Sequence, residues 1–61
     1  MLLPIDVERE DDSRWLAEVA DLPGVLANGT TATEAVANVR ALALRVLADR
    51  VKHGETVPEG F

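Results

Sequence analysis

Thr31-Ala32-Thr33-Glu34 stands directly before a run in which apolar residues recur every three or four positions, and no other local feature constrains the chain as tightly. A T-x-x-E tetrapeptide in that place has the form of a capping box. The Thr31 hydroxyl accepts from the Glu34 amide, and the Glu34 carboxylate reaches back to the Thr31 amide while facing the positive end of the helix dipole. The spacing predicts a helix that starts near Ala32 and runs to about His53. Gly54 is well placed as the residue just past its end, and Lys52 and His53 suit the negative pole.

Projected at 100° per residue, that helix has unequal faces. Ala35, Val36, Val39, Leu42, Ala43, Val46 and Leu47 form a broad apolar face that must cover something. Glu34, Asn38, Arg45, Asp49 and Lys52 make a narrow polar stripe. Beyond it lies a second apolar strip of Ala37, Ala41, Leu44 and Ala48, with Val51 near its end. A helix on one sheet needs only one apolar face, so this strip reads as a candidate oligomer or partner contact. Alanine's high helix propensity offers the competing account, an Ala-rich face turned to solvent.

The residues before the helix alternate with the period of strands. Leu3, Ile5 and Val7 alternate with Pro4, Asp6 and Glu8, as in a strand with one buried face, and Pro4 belongs at a strand start or an edge. Glu10 to Ser13 is a turn. Trp15, Ala17 and Val19 then oppose Arg14, Leu16 and Glu18, so a hairpin is the natural pairing. Leu22-Pro23-Gly24 breaks the ladder, Val25 to Ala27 is long enough for a short third strand, and Asn28-Gly29 tolerates the positive φ needed to turn toward the helix. After the helix, Val57-Pro58 is extended: it forms a short further strand or a tail, and Phe61 is placed to fold back on the core. The fold class expected is α+β, a three-stranded antiparallel sheet packed on one long helix, β-β-β-α with a short C-terminal strand or extended tail.

A chain of 61 residues holds one domain, and a domain of that size hides only about 60% of the surface its unfolded chain exposes. Such a core rarely supplies more than about 3–5 kcal/mol. With no cysteine and no His/Cys cluster, neither a disulfide nor a structural metal adds to it, which leaves self-association, as a dimer or tetramer. The N-terminus reaches Pro4 and Asp6 before any apolar signal segment forms, so no membrane span is expected and the cytoplasm is the expected location. Net charge is −5, and four of the six Lys and Arg residues lie along the helix. Direct nucleic-acid binding, which draws on clustered cations, is not expected. An acidic surface instead steers a basic protein partner, or simply keeps the domain soluble.

Enzymatic chemistry finds no constellation to stand on. His53 sits at a helix end, where the dipole accounts for it. Ser13 has no base that the sequence specifies. Asp11 and Asp12 belong to a turn, Glu34 to the cap and Asp21 to the corner, so with Asp6 they specify no carboxylate pair for a metal. The stretch Gly24 to Gly29 lacks both a Walker lysine and GxGxxG spacing, so no phosphate loop is expected. No catalytic residue, cofactor or metal is assigned.

The order and spacing of several motifs carry a family resemblance. Asp21-Leu22-Pro23-Gly24, Gly29, Thr31, Glu34-Ala35, Asn38, Gly54-Glu55 and Val57-Pro58 together resemble the HicB family of antitoxins and its solitary relatives, over nearly the whole chain. The resemblance implies a partial RNase H-like fold without ribonuclease activity. It also implies a partner, a small basic HicA-like toxin that cleaves mRNA and is masked by the antitoxin. Longer members append a DNA-binding domain. Here a single HicB-like domain is expected over residues 1–61, with no separate DNA-binding domain. Position 25, often cysteine in the family, is Val25. Two functions follow as expectations, an antitoxin domain that binds the toxin, or a stand-alone oligomeric protein of structural or regulatory role.

Overall fold

The alternating residues on either side of the first turn pair as the period demands. The computed structural model describes residues 3–57. In it β1 (Ile5–Arg9) and β2 (Trp15–Val19) run antiparallel, with Ile5 opposite Val19, Val7 opposite Ala17 and Arg9 opposite Trp15. The reversal is held locally. The Glu10 amide donates to the Arg14 carbonyl at 2.7 Å, and the Arg14 amide donates to the Asp12 carboxylate at 3.2 Å. Ser13 takes the left-handed conformation, φ 66°, that the turn requires. Pro4 precedes β1 at the sheet's edge, where its missing N–H costs nothing, and its carbonyl accepts from the Ala20 amide at 3.0 Å.

Leu22-Pro23-Gly24 forms the corner after β2. The Val19 amide donates to the Val25 carbonyl at 3.1 Å, and the Val25 amide donates to Leu22 at 3.0 Å, so the excursion closes on itself. Gly24, at φ 86°, supplies the left-handed residue. Leu22 points inward and is fully buried, which anchors the corner to the core.

The third strand departs from the sequence expectation. β3 is Leu26–Gly29, beginning one residue and ending two residues later than Val25 to Ala27, and it contains the Asn28-Gly29 pair that was expected to turn the chain. It pairs antiparallel with β2, Trp15 opposite Gly29 and Ala17 opposite Ala27, which completes a sheet in the order β1-β2-β3. Gly29 has no positive φ. Its lack of a side chain serves close packing: a Cβ there would overlap the Ala35 backbone nitrogen and come within 2.9 Å of the Ala35 Cα.

α1 spans Ala32–Lys52, as the capping box and Gly54 predict. The Thr31 hydroxyl accepts from the Glu34 amide at 3.0 Å. The other half of the box is shifted by one residue. The Glu34 carboxylate accepts from the Thr30 amide at 3.1 Å and the Thr30 hydroxyl at 3.2 Å, rather than from the Thr31 amide. Bonding one position earlier ties the loop leaving Gly29 to the first helical turn. At the other end, Glu55 N–H donates to the Arg50 carbonyl at 2.8 Å and Gly54 N–H to that of Val51 at 3.2 Å, with Gly54 at φ 69°. This is a Schellman motif, which satisfies carbonyls the helix end leaves free.

The helix lays the row Ala35, Val39, Ala43 and Leu47 on the sheet, where Ala17, Val19, Leu22 and Val25 complete the buried core. Val36, Leu42 and Val46 are half-buried at its margin, together with Trp15 and Ala27. β1 contributes less than its alternation suggests: Ile5 is half-buried, and Val7, expected inside, is 40% exposed. A 21-residue helix is about 31 Å long against about 17 Å for a five-residue strand, so its last turns overhang the sheet. The molecule measures 39 × 16 × 16 Å accordingly. After the helix Glu55 to Val57 carry no regular secondary structure and form no strand, and Val57 packs against the core. The expectations for Pro58 and Phe61 lie outside the described residues.

Candidate functional site

The motif residues that single out this chain are placed in structural work. Leu22 and Ala35 are buried, and Gly29 lies beneath the first turn of α1. Asp21, Pro23 and Gly24 form the exposed corner, Thr31 and Glu34 the N-terminal cap, and Gly54 the C-terminal one. Asn38 has a role that its position in the polar stripe did not disclose. Its side-chain amide donates to the Asn28 carbonyl at 2.9 Å, while the Asn28 side chain donates to the Glu10 carboxylate at 2.6 Å. A polar chain thus runs from α1 across β3 to the β1–β2 turn.

Among the described residues no group of three or more His, Cys, Asp or Glu side chains is placed to hold a metal ion. His53 is engaged at the helix end, its Nδ1 2.9 Å from the Asp49 carbonyl and 3.4 Å from the Asp49 carboxylate. Ser13 lies in the hairpin turn. Beside the first turns of α1 lies an open depression lined by Ala32, Thr33, Val36, Ala37 and Arg40. Among the described residues no helix is long and apolar enough to cross a membrane.

What the structure does offer is two uncovered faces on opposite sides of the molecule. The first is the helical strip. Ala37, Ala41, Leu44, Ala48 and Val51 are all exposed, with Leu44 at 50% and Val51 at 53%. They lie across the helix from the buried row and follow the four-three-four-three spacing of a packing seam. Arg40 borders the strip on one side, and Arg45 and Lys52 border it on the other.

The second is the outer face of the sheet. Strand alternation puts Asp6 and Glu8 of β1, Leu16 and Glu18 of β2, and Leu26 and Asn28 of β3 on the side away from α1. The register makes Asp6 the direct neighbour of Glu18, Glu8 that of Leu16, and Glu18 also that of Leu26. Like charges directly opposite destabilise a sheet, because their Cβ atoms lie only about 4.5–5.5 Å apart. Half-buried Leu16 and exposed Leu26, 43% open to solvent, form an apolar centre beside these carboxylates.

Charge is therefore divided by layer. The sheet and its turns carry Asp6, Glu8, Glu10, Asp11, Asp12, Glu18 and Asp21 against Arg9 and Arg14, while α1 carries Arg40, Arg45, Arg50 and Lys52 against Glu34 and Asp49. Among the described residues no Lys or Arg lies within ion-pair distance of a carboxylate, and the one contact of that kind, His53 with Asp49, is an ion pair only when the imidazole is protonated. Sequence reasoning identified the helical strip and overlooked the sheet face. The placing of Asp6 and Glu8 on one face of β1, and of Leu16 and Glu18 on one face of β2, was visible, but the pairing of Asp6 with Glu18 depends on the strand register, which the turn helps to fix. The chain matches no protein-family model, no curated protein and no solved structure with which it was compared.

Proposed function

We propose that the protein is a binding module, a HicB-like antitoxin domain that holds and masks a small basic HicA-type toxin on the outer face of its sheet. The observation that supports this most directly is the unpaired carboxylate set of Asp6, Glu8 and Glu18 around Leu16 and Leu26. Complementary potential of this kind speeds encounter with a cationic partner and suppresses wrong ones. A basic ribonuclease surface, shaped to hold RNA phosphates, carries the matching charge. Covering that surface blocks RNA without any chemistry by the antitoxin itself. The motif order around the Asp21–Gly24 corner and the Thr31 cap supports the HicB-like reading, and the sheet-and-helix fold is compatible with it.

The exposed helical strip favours a second reading, a stand-alone oligomeric HicB-fold protein of structural or regulatory role without a toxin. Affinity purification of the tagged protein from its own cells separates the two. The antitoxin reading expects a small basic protein in the eluate, lost when Asp6 and Glu18 are changed to lysine. Recovery of the tagged protein with copies of itself alone, and no adjacent reading frame for a small basic protein, refutes it.

A further inference from the structure

The two uncovered faces match each other. We infer that a second copy of this chain occupies the sheet face, laying its own helical strip, Ala41, Leu44 and Ala48 with Arg45 and Lys52 beside them, over Leu16, Leu26 and the carboxylates of Glu8 and Glu18. This goes beyond the antitoxin reading and does not depend on it.

The argument rests on charge and on geometry. Pairing two strips leaves the sheet carboxylates without cations. In an antiparallel pairing centred on Leu44, Arg45 of one copy faces Arg45 of the other, a weak repulsion, and only Lys52, level with Glu34 of the other copy, gains a charge match. Two sheet faces stacked together meet acid with acid. The cross pairing satisfies both, since Arg45 and Lys52 lack carboxylate partners within the described residues of their own chain and the sheet carboxylates lack cations. The small side chains of Ala41 and Ala48 let the helix axis approach, and Leu44 meets the apolar centre of Leu16 and Leu26.

Because the two faces lie on opposite sides of a two-layer molecule, two copies cannot satisfy both contacts reciprocally about a twofold axis. The contact is heterologous, so copies add head to tail and close as a ring or extend as a chain. A patch three strands wide and five residues long covers roughly 10 by 17 Å of backbone, small beside the roughly 800 Å² per partner of a stable interface. Association is accordingly weak and concentration-dependent. Where a basic toxin is present, it and the second copy compete for one face.

Sedimentation of the purified chain alone, from low micromolar to millimolar concentration, tests this without any toxin. Species larger than a dimer are expected at the upper end. They should weaken severalfold as the Debye length contracts from about 10 Å at 0.1 M salt to about 3 Å at 1 M. Reversing the helix charges with Arg45→Glu and Lys52→Glu, or the sheet charges with Glu8→Lys and Glu18→Lys, should each abolish association. An equimolar mixture of the two double variants should restore it, since each then offers the face the other lacks. All four positions are exposed, and circular dichroism checks that the folds persist. A wild-type chain that stays monomeric at millimolar concentration overturns the inference. So does association that ignores salt, a sheet reversal that leaves it unchanged, or a mixture that remains dissociated.

Discussion

Replacing Gly29 with alanine puts the close approach of β3 to the first turn of α1 to the test. The new Cβ would overlap the Ala35 backbone nitrogen and sit 2.9 Å from both the Ala35 Cα and the Glu34 carbonyl carbon. Relaxed carbon contacts lie at about 3.5–4.0 Å, so β3 and the first turn of α1 must separate by roughly half an ångström or more. The obstructing atoms are backbone, and no rotamer change removes them. Overpacking of this kind costs about 1–3 kcal/mol, while Gly to Ala recovers about 0.4–1 kcal/mol from the unfolded chain. The expected net loss of about 1–2 kcal/mol is a large part of the roughly 3–5 kcal/mol such a core provides. At about 4–8 °C per kcal/mol for a domain this small, the melting temperature should fall by roughly 5–15 °C. Far-UV circular dichroism reads the loss, and Trp15, directly opposite Gly29 in the register, reports local displacement through its fluorescence. Gly24 is the control. Nothing lies within 4 Å of a Cβ there, but its φ is +86°. Asparagine, which tolerates the left-handed region, should therefore do better than alanine at position 24 and no better at position 29. A Gly29→Ala protein that melts at or above the wild-type temperature would refute the close-approach argument.

Four further substitutions probe the caps and the core. Thr31→Ala removes the acceptor for the Glu34 amide and should cost about 0.5–2 kcal/mol in denaturant titration, with a smaller loss placing the helix start elsewhere. Gly54→Ala forces a side chain into the left-handed region of the Schellman motif, and a loss of about 1–2 kcal/mol is expected by the same assay. Leu47→Ala empties a fully buried site at about 2–5 kcal/mol, a loss comparable with the roughly 3–5 kcal/mol that such a core provides, and should show the largest fall in denaturant midpoint of the four. Leu44→Ala, half-exposed on the opposite face, should stay within about 0.5 kcal/mol of wild type in dilute solution, and a larger effect there would mean that the strip is covered within the monomer.

Local rules written into the chain account for most of this fold. Thr31 with Glu34 and then Gly54 marked both ends of α1, because each supplies hydrogen bonds that any helix end needs wherever it packs. The hairpin from Ile5 to Val19 followed from two-residue alternation. The third strand was harder to read because Asn28-Gly29 is an ordinary turn signal, and here the glycine answers to a neighbour six residues on in the helix rather than to its own φ. The Glu34 carboxylate could not be assigned to Thr30 rather than Thr31 without the path of the incoming chain. Asn38 was legible as polar and no further, since its partner is the backbone of β3. The outer sheet face stayed hidden for a related reason: charge at Asp6 and at Glu18 is written in the sequence, but their adjacency is a product of register.

The shallow seating of β1 bears on how the molecule fluctuates. Only Ile5 of that strand is even half-buried, Val7 is open to solvent, and of the three strands it meets α1 least. Few apolar contacts resist its departure, so β1 belongs to the low-stability end of the structure, where subglobal opening precedes global unfolding. Its amide protons should exchange through that partial opening, while those of the core row around Val39 and Ala43 wait for the whole molecule to unfold. Each excursion bares the hydrogen-bonding edge of β2 and takes Asp6 away from Glu18. The electrostatic repulsion built into the outer face is thereby relieved by motion whenever no cation is present to relieve it by contact.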